Sequence, residues 1–213
     1  NFEPNSPLMR REYTIMYGGD SNIRGDVEPS RIGLEIENYF KNTSEIEFSI
    51  FYRTKGKDTM ITRSYEFAPY VSLPDGYGFK LEFNGPRMQK WGYGLSLSRG
   101  KGDDHQAALS WLEKLSFNFG LYPKENLSIN FKYSHEEEDQ WLNWIEKDHL
   151  ATYDKKLRST NASLKWFKGN RHELRVKTQL VAFTARNSQS YLANLRGDLS
   201  IYQKKSAFIY TQR

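Results

Sequence analysis

The sequence predicts an all-β chain, an antiparallel meander of hairpins, and three observations carry that expectation. Apolar residues alternate with polar ones in run after run, the period of a strand with one face in an apolar medium. Nowhere do they recur at i, i+3, i+4 and i+7 over the length of a helix. Short clusters of Gly, Asn, Asp and Pro separate the runs, and these residues supply the backbone angles of tight turns. The clearest instance is Asn161 to Gln179. Ala162, Leu164 and Trp166 alternate before Lys168; after Asn170, Leu174 and Val176 alternate with Glu173, Arg175 and Lys177. Lys168-Gly169-Asn170 then closes a hairpin, because Gly and Asn tolerate the positive φ that such a turn demands.

Taken in order, residues 1–8 contain two prolines and read as a linker, with strands from about residue 9 onward. Tyr13, Ile15 and Tyr17 form the first, ended by Gly18-Gly19-Asp20 and a long polar loop to Arg31. Ile32, Leu34 and Ile36 follow, then a turn at Lys41 to Ser44, then Ile46, Phe48, Ile50 and Tyr52. Thr54 to Asp58 reads as a turn, Met60 to Phe67 as a weaker strand, and Pro69 with Pro74-Asp75-Gly76 as a loop. Phe79, Leu81 and Phe83 come next, then Trp91, Tyr93, Leu95 and Leu97, then a loop at Arg99 to Gln106. Leu115 to Leu121 and Leu127 to Tyr133 make a second hairpin across residues 122–126. Trp141 to Tyr153 reads as strand extensions beyond the apolar zone, and His172 to Ala185 and Leu199 to Arg213 close the series. The total is about eleven strands. Short and long connections alternate only after about Lys90, which points to one misplaced strand between Lys41 and Lys90.

Composition narrows the function classes. The 213 residues read as one antiparallel β region. No run approaches the roughly 18 apolar residues of a transmembrane helix. Mean hydropathy is −0.78, which a β-barrel also shows, since its lumen, turns and loops are polar. Aromatic residues reach 15% and suit strands and interfacial girdles. The absence of cysteine excludes disulfides, Cys-ligated zinc and thiol nucleophiles. A formal charge of +5 is spread too evenly to indicate nucleic acid. Asn1 opens without a signal-peptide pattern, and Leu199 to Arg213 stops mid-pattern with SAFIY almost uncharged. The strands are therefore expected to continue beyond residue 213, pairing with the remainder of a longer chain.

Two architectures fit the alternation. In a soluble sandwich the apolar face points to a shared core; in a transmembrane barrel it meets lipid and the polar face lines the lumen. Small polar-face residues (Gly92, Gly94, Ser96, Asn118, Ser128, Asn130) suit a crowded lumen. Apolar runs of about 7–9 residues approach the roughly 9–11 that cross a bilayer. Trp91, Tyr122, Tyr133 and Trp166 sit at run ends, where an interfacial belt would lie. On rhythm alone the two architectures stand level.

Trp141-Leu142, Tyr153-Asp154, Leu164-Lys165-Trp166-Phe167 and Arg171-His172-Glu173-Leu174-Arg175-Val176-Lys177, in that order, resemble a bacterial family of outer-membrane β-barrels to which no activity is assigned. The close likeness covers roughly Asp139 to Val181. Members carry an N-terminal carbohydrate-binding-like β-sandwich ahead of the barrel region. The resemblance implies an outer-membrane barrel or a fragment of one, with outer-membrane lipid and the rest of its own chain, including such a module, as partners. A structural, anchoring or transport role without catalysis is the expected function. A soluble glycan-binding module is the alternative, and a glycoside hydrolase a further one.

Four groups of residues invite chemistry. His135-Glu136-Glu137-Glu138-Asp139 is the densest ionisable stretch, and Glu136, Glu138 and Asp139 could in principle hold a hard cation. Consecutive strand residues point to opposite faces, so a solvated loop tip is the plainer reading. Glu35, Glu37, Glu45 and Glu47 sit on polar faces like the acid pair of a glycosidase, though a lumen row balanced by Lys and Arg accounts for them without catalysis. Glu173, Arg175 and Lys177 share a face with Lys165 across the turn, a lumen charge ladder. His172 and Glu173 point apart and form no dyad. RGD triplets at Arg24 and Arg196 lie in expected loops. Phosphate-loop, zinc-protease and nucleophile-elbow motifs are missing, and no cofactor or metal is expected.

Overall fold

The computed structural model describes residues 6–19, 29–63, 66, 70–86, 90–101, 110–169, 172–202 and 209–212. Among the described residues every regular element is a strand: β1 (Leu8–Gly18), β2 (Arg31–Phe40), β3 (Glu45–Arg53), β4 (Gly56–Asp58), β5 (Val71–Leu73), β6 (Gly76–Asn84), β7 (Trp91–Lys101), β8 (Trp111–Lys124), β9 (Leu127–Glu146), β10 (His149–Lys168), β11 (His172–Ala193), β12 (Leu199–Ile201) and β13 (Ile209–Gln212). The main sheet has eleven strands, ordered β1-β2-β3-β6-β7-β8-β9-β10-β11-β12, with β13 also on β11. Every ladder is antiparallel.

The hairpin at 161–179 forms as its alternation predicts. Leu164 stands opposite Val176, Trp166 opposite Leu174 and Lys168 opposite His172, and Gly169 takes φ +61 in the turn. Asn170 and residues 1–5 of the expected linker lie outside the described residues, and Leu8 is already in strand. Between β3 and β6 the sequence reading fails. Gly56–Asp58 is a strand, Val71–Leu73 is its partner, and Met60 to Arg63 is turn. The expected strand at Met60–Phe67 is thus turn over residues 60–63, with residues 64, 65 and 67 outside the described residues, and the strands of this region are instead the β4–β5 pair, outside the main sheet. Three-residue strands bury too few alternate positions to leave a periodic signature. Arg99 to Lys101 belong to β7, and the run from Leu199 is divided into β12 and β13.

With β4–β5 recognised as an insertion, the connections sort by end of the sheet. Residues 41–44, 85–90, 125–126 and 169–171 join strands at one end. β1 and β2, β3 and β6, and β7 and β8 are connected at the other, where β9 and β10, twenty residues each, and β11, of twenty-two, also run on past their neighbours.

Cross-strand register gathers the apolar residues on one face. The row Ile15–Leu34–Ile50–Phe79 crosses β1, β2, β3 and β6, and Phe83–Leu95–Phe117–Tyr133 crosses β6 to β9. Leu121–Ile129–Leu164–Val176 continues across β8 to β11. This face is largely open, with Tyr17 78% and Phe119 36% exposed, while Leu34, Phe83, Leu121, Tyr133 and Leu164 are half-buried among their neighbours. No second sheet covers it among the described residues. Trp91 and Trp166 mark its lower edge, at the short-turn end; Tyr17, Tyr52, Tyr77 and Trp111 mark the upper, with Tyr77 and Trp111 edge-to-face at 5.4 Å. Just above the belt the same face turns charged: Arg99 Nε to Glu113 at 3.0 Å and Lys156 Nζ to Glu137 at 3.0 Å.

The buried apolar core is small and lies in the strand extensions. Leu142, Leu150 and Ala193 pack with Val71 and Leu73 of β5. The insertion is pinned there: the Ser72 amide donates to the Gly197 carbonyl at 2.9 Å, and the Arg63 guanidinium lies 4.9 Å from the Trp144 ring. The second RGD triplet is part of this joint, since Gly197, at φ +75, abuts Tyr70 so closely that a Cβ would come within 2.5 Å of its ring. Arg24 of the first lies outside the described residues. No ladder among the described residues joins β1 to β11, β12 or β13, so the sheet curls without closing.

Candidate functional site

The polar face is concave. Met9 of β1 and Lys177, Thr178 and Gln179 of β11 line one cavity of about 1180 Å³, so the first and last long strands look into a common space. Alternation puts even positions of β7 to β9 on this face. Gly92, Asn118 and Asn130 line the cavity, with Asn84 of β6 and Asn161 of β10. Gly94 is small for a reason: a Cβ there would come within 2.6 Å of the Asn118 amide and 2.9 Å of Asn84 Oδ1. Tyr122, expected in an interfacial belt, faces this side instead and donates to Asn130 Oδ1 at 3.4 Å. It follows Leu121 on the apolar face, and one step along a strand reverses the side chain.

Charge is divided across the concave face. On β2, β3 and β6, Glu37, Glu47 and Glu82 stand directly opposite one another. Like charges so placed repel, and Lys80 relieves them, with Nζ 3.0 Å from Glu47 and 2.8 Å from Glu82. The Tyr39 hydroxyl donates to Glu37, and Glu35 stands opposite Ser49. Of Glu35, Glu37, Glu45 and Glu47, Glu47 is thus paired with Lys80 and Glu37 accepts from Tyr39, while Glu35 and Glu45 make no ion pair among the described residues. On β10 and β11, Lys165 is paired in register with Arg175, and both reach Glu173, Lys165 at 3.6 Å. Lys177 stands one pair further on, opposite Ser163, in the cavity wall. The four charge-ladder residues do share one face.

The His135–Asp139 stretch is not a loop tip. It lies within β9, and alternation splits it. Glu136 and Glu138 point to the concave side, where the Lys155 ammonium sits 2.6 Å from Glu136 and 3.0 Å from Glu138. Glu138 is fully buried with one oxygen, Oε1, unpartnered. Lys155 also lies 4.8 Å from the Trp141 ring. Burial raises the Glu138 carboxyl above its usual range, and the Lys155 hydrogen bond opposes that without cancelling it. Burial alone would lower Lys155, but its bonds to Glu136 and Glu138 outweigh it and raise the amine. Glu137, on the other face, is held low by Lys156, with His135 Nε2 at 3.1 Å. Among the described residues no group of three His, Cys, Asp or Glu is placed to hold a metal ion. Lysine occupies the place a cation would take between Glu136 and Glu138, and Asp139 does not join them.

Gly92, Asn118 and Asn130, expected on the polar face, do line the cavity, whereas Lys155, Asn84 and Asn161 were not singled out from sequence. Lys155 is legible only through register, because the bulge after Glu138, with Gln140 at φ 54, shifts the pairing between Tyr153 and Lys155. Comparison with protein-family models, with curated proteins and with solved structures finds no match to this chain.

Proposed function

We propose that the chain is part of a bacterial outer-membrane β-barrel, non-enzymatic, with a structural, anchoring or transport role. One observation supports this most: the apolar face forms a belt from β1 to β11 that no second sheet covers among the described residues. In water such a belt is a large uncovered hydrophobic patch; against lipid it is the expected outer surface of a barrel. Belt runs such as Leu127 to Tyr133 or Trp91 to Leu97 extend roughly 20 Å along the strand at about 3.3 Å per residue, close to the roughly 25 Å apolar band of such barrels. Aromatic residues at both margins and short turns at one end fit the same picture, with the short turns toward the periplasm. The resemblance of residues 139–181 to outer-membrane barrels points the same way. Outer-membrane lipid and further strands of a longer chain are the partners, and the latter would complete the ring.

The experiment is a comparison of dispersion in plain buffer and in detergent or lipid. The chain should be monodisperse only with detergent or lipid. Phe131→Arg, which puts a cation on the belt, should cost about 2–4 kcal/mol near the bilayer midplane, while Asn130→Lys on the adjacent concave position should be nearly neutral. A stable monomer in plain buffer refutes the reading.

A further inference from the structure

The concave cavity carries charges that the protein itself leaves unmatched. Most ionic side chains of this face are paired: Lys80 with Glu47 and Glu82, Lys165 and Arg175 with Glu173, Lys155 with Glu136 and Glu138. Three that line the cavity are not. Glu45 of β3, Lys132 of β9 and Lys177 of β11 make no ion pair among the described residues. Register sets Glu45 on β3 and Lys132 on β9 in one cross-strand row, Glu45–Asn84–Gly94–Asn118–Lys132, with Lys177 further on in β11. In that row Asn84 and Asn118 stand between Glu45 and Lys132, with Asn161 beyond Lys132, and their amide groups both donate and accept.

We propose that this cavity binds a short zwitterionic peptide, its ammonium toward Glu45 and its carboxylate toward Lys132 and Lys177. The inference rests on the barrel reading, which makes the concave face a lumen and the peptide a solute held or passed there. A charged group at each end and the Asn84 and Asn118 amides between them suit the two termini and the backbone amides of a peptide. A neutral saccharide would leave all three charges without counter-ions. A simple anion would meet the lysines but leave Glu45 unsatisfied. At about 1180 Å³ the cavity exceeds what a single amino acid fills and accommodates a peptide of a few residues.

The test is calorimetric titration of the full chain in detergent micelles with trialanine, N-acetyl-trialanine, trialanine amide and maltotriose. Trialanine should bind, and each blocked form should bind about tenfold more weakly, as loss of one charged hydrogen-bond partner implies. Glu45→Gln should abolish the penalty for acetylation and keep that for amidation. Lys132→Met with Lys177→Met should do the reverse, an opposition that misfolding cannot produce. Equal affinity for all three peptides, no binding of trialanine, or preference for maltotriose overturns the proposal. Flotation of the same samples with lipid vesicles separates the two readings. A chain that floats but does not discriminate refutes the peptide site alone. One that discriminates without floating supports the site and refutes the membrane reading.

Discussion

Replacing Lys155 by Met tests the account of the strand extensions above the belt. The Lys155 ammonium lies 2.6 Å from Glu136 and 3.0 Å from Glu138, with 7% of its side chain exposed and none of Glu138's. Both groups are desolvated, so the surface-pair value near zero does not apply. Removing one member of a buried pair leaves an uncompensated charge and costs about 3–5 kcal/mol. Here the cost falls on Glu138, which already has one unpartnered oxygen and a second carboxylate beside it. Lys155→Met is therefore expected to lose about 3–5 kcal/mol at pH 7, and Lys155→Met with Glu138→Leu to recover most of it. The pH dependence has a definite sign. Glu138 has a folded pKa above its unfolded one, so its ionisation costs stability as pH rises through that window. Without Lys155 the window widens, and the variant should regain about 1.4 kcal/mol per pH unit as acid protonates the carboxyl. Urea titration of vesicle-inserted protein reads this, and Trp141, 4.8 Å from the Lys155 ammonium, supplies a local fluorescence signal. A single variant within about 0.5 kcal/mol of the parent, or a double variant no better than the single, refutes the reasoning.

Two further outcomes follow from the same geometry. Gly197→Val should free the β4–β5 insertion, because a Cβ there meets the Tyr70 ring and φ +75 strains any branched side chain; faster proteolysis between residues 54 and 75 with the belt strands intact is the expected readout, and unchanged proteolysis refutes the joint. Glu137 has a folded pKa below its unfolded one, so the Lys156 pair contributes above the usual carboxylate pKa and is lost as pH falls through the folded value; Lys156→Met should flatten the acid limb of a stability–pH curve, and an unaltered limb refutes that assignment.

How far the fold was legible depended on how much each segment buries by alternation. Leu164–Trp166 and Leu174–Val176 declare their strands because every second residue must meet an apolar medium, and a one-residue slip would invert the face. Gly56–Asp58 and Val71–Leu73 declare nothing, being three residues each, and Pro69 and Pro74 beside the second read as loop. The His135–Asp139 stretch misled for a different reason. Charge density suggested a solvated tip, whereas Lys155 and Lys156 on the neighbouring strand neutralise its two faces separately. That compensation is a property of cross-strand register, which the order of residues along one strand does not contain. The charge ladder of Lys165, Glu173, Arg175 and Lys177 was legible because a tight turn fixes register by itself. The cavity was not, since it depends on how the whole sheet curls.

The central claim is that the alternating apolar face meets lipid while its neighbour meets water. Lacking cysteine, the chain accepts single labels without background. Fluorophores placed one at a time at 129, 130, 131 and 132, and at 174 to 177, should be read in vesicles against a lipid-borne and an aqueous quencher. The account predicts strict alternation: 129, 131, 174 and 176 quenched from the lipid, and 130, 132, 175 and 177 from water. A profile without period two, or aqueous quenching at 129 and 131, contradicts it.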